Sequence, residues 1–100
     1  MNEIEKQFKS KAIIKGGIML FSIKDALSFV DECRKNKISI LGIDGFFLFD
    51  EKIQPSQENS IDFSSSYYVH KTDSIYSDAI NFLKHKNDQL FFEIICSDES

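Results

Sequence analysis

The sequence predicts an α+β domain in the order β-α-β-β-α-β, with two helices packed on one face of a mainly antiparallel sheet. Three observations point there. Residues 23–37 and 72–86 each place apolar side chains at helical spacing, with cations gathered at the C-terminal end. Short β-branched and aromatic runs flank them, at "KAIIKGGIMLF", "ISILGI", "FFLF" and "LFFEIIC". Turn residues fall between those runs: Gly16-Gly17, Asp44-Gly45 and Asn87-Asp88.

Taken in order, residues 1–11 are mixed in charge and read as a short helix or an untidy tail. Gly16-Gly17 sits between two apolar runs and suits a hairpin turn. Ser22, with Asp25 three residues on, resembles a capping box. Ala26, Phe29, Val30 and Cys33 then make one apolar face, and Asp31, Arg34 and Lys35 the other. Asn36 is expected to end this helix in a left-handed conformation. After "ISILGI", Asp44-Gly45 is expected to turn a type I′ hairpin into "FFLF", while Gly42 marks a bulge or a close backbone approach. Residues 50–66 are polar with one proline and read as a long loop, a type that is often functional. Thr72 or Ser74 is expected to cap the second helix, whose apolar face is Ile75, Ala79, Phe82 and Leu83. "LFFEIIC" is the last strand, and 97–100 a frayed acidic tail.

"FFLF" and "LFFEIIC" are apolar at nearly every position, whereas a sheet with one solvated face should alternate. The second face therefore needs a cover: the N-terminal segment, the 50–66 stretch, a second copy, or another protein.

One hundred residues suit a single domain with a core of its own, and ten phenylalanines make that core aromatic. No apolar run approaches a membrane span and the N-terminus lacks a signal-peptide core, so a cytoplasmic protein with reduced Cys33 and Cys96 is expected. These two cysteines lie 63 positions apart with no second pair, which offers no metal-ligand spacing. Net charge is −4: residues 1–37 carry eight bases and five acids, 38–70 one and five, 71–100 three and six. An acidic middle and end disfavour direct nucleic-acid binding and fit a basic protein partner.

No enzyme signature is visible. His85 falls in a last helical turn, where it complements the dipole. His70 lies near Asp62 and Ser64–Ser66 in sequence, without the Gly-x-Ser-x-Gly elbow that would give a triad meaning. Asp50, Glu51, Glu58 and Asp62 lack calcium-loop or His/carboxylate spacing, so neither metal nor cofactor is expected. Tyr67-Tyr68 read equally as strand residues or as interface anchors.

The helix "DALSFVDECRKNK" running into "ILGIDG" resembles the small bacterial immunity proteins that neutralise tRNA-cleaving colicin-type toxins. The resemblance covers residues 26–62 and is most specific at "ILGIDG"; after the Asp-Gly, where that family tends to carry a further Gly and a Trp, this chain has Phe46 and Phe47. It implies a non-enzymatic inhibitor that occludes the cleft of a basic nuclease domain. Asp44, Asp50, Glu51, Glu58 and Asp62 would stand in for phosphates, and Tyr67 and Tyr68 for stacked bases. The alternative is a homodimer joined through the sheet, without a toxin. A small-ligand pocket under the 50–66 stretch is a third reading.

Overall fold

The computed structural model describes residues 2–68 and 71–97. The class is α+β, with three α-helices and two antiparallel sheets. The elements are α1 (Glu3–Phe8), β1 (Ile13–Lys15), β2 (Ile18–Leu20), α2 (Ile23–Lys35), β3 (Ile40–Phe49), β4 (Lys52–Asp62), α3 (Thr72–Lys84) and β5 (Phe91–Cys96), with 3-10 turns at Lys9–Lys11 and Ser66–Tyr68.

The N-terminal segment is a helix because Asn2 and Glu5 form a reciprocal capping box. The Asn2 side chain accepts from the Glu5 N–H at 2.8 Å, and the Glu5 carboxylate accepts from the Asn2 N–H at 3.0 Å. Its Ile4 and Phe8 are buried. Gly16 and Gly17 turn β1 into β2 at φ +56° and +80°, the paired left-handed geometry expected of a type I′ hairpin. Ser22 caps α2 by accepting from the Asp25 N–H, and Ala26, Phe29, Val30 and Cys33 form its buried face. Asn36 is not left-handed (φ −100°); Lys37, one residue later, takes that conformation at φ +56°. In α3 neither Thr72 nor Ser74 is the cap: Lys71 is the N-cap residue and makes no side-chain cap bond.

Two expectations in the middle of the chain are corrected. Asp44-Gly45 is not a turn but the interior of β3, a continuous ten-residue strand. The hairpin lies at Asp50-Glu51, whose φ values of +44° and +74° fill the turn between Phe49 and Lys52. Residues 50–66 are consequently not a loop: β4 takes eleven of them and pairs with β3. Turn chemistry lost to pairing here because Gly45 is required for another reason. Between Ile43↔Ile61 and Gly45↔Ser56, β3 advances two residues while β4 advances five, so β4 bulges. A Cβ at Gly45 would collide with the Asn59 carbonyl inside that bulge, and the Gly45 N–H donates to Ser60 Oγ at 3.1 Å. The reading of Gly42 agrees with what is seen. It follows a one-residue bulge against β5, and a Cβ there would lie 3.1 Å from the Ile61 carbonyl oxygen.

The larger sheet runs β4-β3-β5. The β1–β2 hairpin joins its β5 edge through Phe21 and Phe92, which exchange two backbone hydrogen bonds of 2.8 Å. Pro55 is tolerated because β4 is an outer strand. Ile43, Phe92 and Ile94 belong to one cluster with α2 and α3, α2 packs on α3 and β5, and α3 reaches β3. The rings of Phe8, Phe21 and Phe29 meet edge-on or tilted, with centroids 5.2–6.2 Å apart. The buried Tyr76 hydroxyl donates to the Ile38 carbonyl at 2.8 Å and ties α3 to the entrance of β3.

Candidate functional site

Alternation along β3 and β5 turns Ile43, Phe92 and Ile94 towards the helices and leaves Asp44, Phe46, Phe91 and Glu93 on the opposite face. Asp44 and Glu93 are direct cross-strand partners, both half-buried. Two carboxylates facing each other across a ladder are unfavourable in isolation. Burial, then the Asp44 carboxylate, then that of Glu5 in α1 raise the Glu93 carboxyl above its ordinary value.

These two acids line a cleft of about 770 Å³ together with Ile18, Phe46, Pro55 and Asp62. Phe46 is only 5% exposed and supplies an apolar floor. Ile18 comes from the small hairpin and Pro55 from β4, so the chain itself covers part of this face. Asp62 ends β4 opposite Gly42. Its carboxylate accepts from the Ser64 hydroxyl (2.7 Å) and N–H (2.8 Å), and those bonds hold it below the usual carboxylate range.

The remaining expected site residues lie elsewhere. Asp50 and Glu51 form the exposed β3–β4 turn, six residues beyond Asp44 and so roughly 20 Å along the strand. Glu51 is paired with Lys15 at 3.2 Å. Glu58 is exposed on the β4 bulge. Tyr67 is 61% exposed, with the Lys71 ammonium 4.2 Å from its ring centre. Tyr68 is structural in its contacts: its hydroxyl donates to Asp78 at 2.9 Å, and its ring meets Phe63 edge-on.

The structure therefore brings Asp44 and Asp62 together and adds Glu93, which sequence reading missed. A usable signal was there: Glu93 is the one charged residue inside "LFFEIIC". His70 lies outside the described residues. His85 ends α3 with Nδ1 donating to the Asn81 carbonyl at 2.8 Å, a helix-terminal role. Among the described residues no group of His, Cys, Asp and Glu is arranged to hold a metal, and no helix is long and apolar enough to cross a membrane. No protein-family model and no curated protein matches the chain.

Proposed function

We propose that this chain is a non-enzymatic inhibitor of the immunity type, binding a basic nuclease domain through the acidic cleft around Asp44 and Glu93. In this reading α2 and α3 pack on one face of the sheet and leave the other to the partner. The observation that carries it is the Asp44–Glu93 pair. Two like charges held side by side on a half-buried sheet face raise the energy of the free protein, and a cation entering the cleft relieves it. Phe46 and Ile18 offer apolar contact to the stem of the incoming Lys or Arg. Asp62 and, further out, Glu58, Asp50 and Glu51 extend the negative field that speeds encounter with a basic surface. The resemblance around "ILGIDG" supports the same reading and supplies the nuclease class.

The test is titration of the protein into a panel of purified colicin-type tRNA-cleaving domains, following tRNA cleavage. One domain is expected to be silenced at a one-to-one ratio, with association slowing as salt rises. Asp44→Lys with Glu93→Lys is expected to weaken inhibition at least about tenfold. Asp50→Lys with Glu51→Lys measures how far the surface reaches along the β3–β4 turn. If no domain is inhibited and none associates, the reading fails.

One observation favours a homodimer as a second reading. Leu41 and Ile95 are 44% and 39% exposed beside the Gly42–Ile95 pairing, an apolar pair at one end of the ladder. Self-association that persists in high salt by sedimentation would support it, since apolar burial is not screened.

A further inference from the structure

The end of α2 and the end of β5 are pinned together by backbone. The Cys33 carbonyl accepts from the Ile38 N–H at 2.9 Å, turning the chain from α2 towards β3. Ile40 then pairs with Cys96, and the Ser97 N–H donates to the Ser39 carbonyl at 2.9 Å. Cys33 is fully buried and Cys96 half-buried against the same apolar cluster. Their side chains are near neighbours, and Cys96 is the group that acts most strongly on the Cys33 thiol. Asn2 completes the group, aiming its side-chain N–H at Cys96 Sγ from 3.1 Å.

We infer that Cys33 and Cys96 are a reversible dithiol pair that closes into an intramolecular disulfide by exchange with a low-molecular-weight disulfide such as glutathione disulfide. Cys96 reacts first, because it is the one of the two that solvent reaches. Its thiolate attacks one sulfur of glutathione disulfide, that S–S bond breaks, and one glutathione leaves. The neighbouring Cys96 sulfur, then burial, keep the Cys33 thiol protonated in the reduced protein, so it stays unreacted until the mixed disulfide on Cys96 forms. Cys33 then attacks Cys96 Sγ and expels the second glutathione, and its proton goes to the departing glutathione sulfur. Two protein thiols are oxidised and one glutathione disulfide is reduced to two glutathione molecules. The bond staples α2 to β5 and links positions 63 residues apart, which restricts the unfolded chain.

The experiment incubates the native full-length protein with glutathione buffers of rising disulfide fraction, then measures free thiols, intact mass and thermal midpoint. Both thiols are expected to disappear together, with loss of two hydrogens, no glutathione adduct at the end point and no dimer. The midpoint is expected to rise by roughly 10–20 °C and to fall back on reduction. Cys96→Ser is expected to leave the Cys33 thiol unreacted while the protein stays folded. Persistence of both thiols at high disulfide fraction, a glutathione adduct that never resolves, or only intermolecular dimers would each overturn the inference. The wild-type measurement decides without the variant.

Discussion

Glu93 is the residue whose chemistry differs most from its surroundings, a carboxylate within an otherwise apolar strand and opposite Asp44. A carboxyl with a raised folded pKa holds its proton more tightly in the native state than in the unfolded one. Glu93's contribution to native stability is therefore greatest below the unfolded glutamate value of about 4.3 and declines as pH rises through Glu93's own, higher value. Glu93→Gln is expected to raise stability at pH 7 by up to about 1 kcal/mol, a modest figure because water screens these half-exposed groups. Wild type and variant should converge below pH ~4. Urea melts at a series of pH values check both statements. If the cleft serves a partner, the same variant binds less well while folding better, the trade expected of a site held at a cost in stability.

The β3–β4 hairpin shows how an element settles its own register. Asp44-Gly45 has the composition of a tight turn, yet the ladder places Asp50 and Glu51 there, both left-handed. A non-glycine residue in that conformation carries about 1–2 kcal/mol of strain. Glu51→Gly is expected to stabilise the protein by about 1 kcal/mol in chemical denaturation, because the exposed Lys15–Glu51 pair it removes contributes little. Gly45 could not have served the turn without giving up its place beneath the Asn59 carbonyl. The bulge around Ser56–Ser60 in turn lets the eleven residues of β4 accompany the eight residues Gly42–Phe49 of β3.

Across the whole molecule the two ends of the chain close on each other. Asn2, buried at the start of α1, caps that helix and donates to both Cys96 Sγ and the Ser97 carbonyl at the end of β5. Ser97 is thus held in place and is not part of a frayed tail; residues 98–100 lie outside those described. Asn2→Ala removes a cap and two donors together, and is expected to lower stability by about 1–3 kcal/mol. Hydrogen exchange should then accelerate across α1 before it does in α2, since Ile4 and Phe8 would be left to hold this short helix to the core.

Residue types and their spacing were enough to read the α+β class, the capped α2, the glycine hairpin, α3 and the final strand. Each depends on neighbours within a few positions: a cap and its partner, an apolar period, a pair of glycines. The placement of Asp44-Gly45, the strand character of 52–62 and the meeting of Asp44 with Glu93 depend on residues far apart in the chain. Asp-Gly favours a turn locally, but pairing β3 on both edges forms a longer ladder and buries Ile43 and Phe46. Polar sequence in 50–66 resembles a loop because β4 is an outer strand with its second edge unpaired within the sheet. The acidic centre of the molecule was legible as charge in residues 38–70, whereas its focus was not. A cleft exists only once β5, from the far end of the chain, is laid against β3.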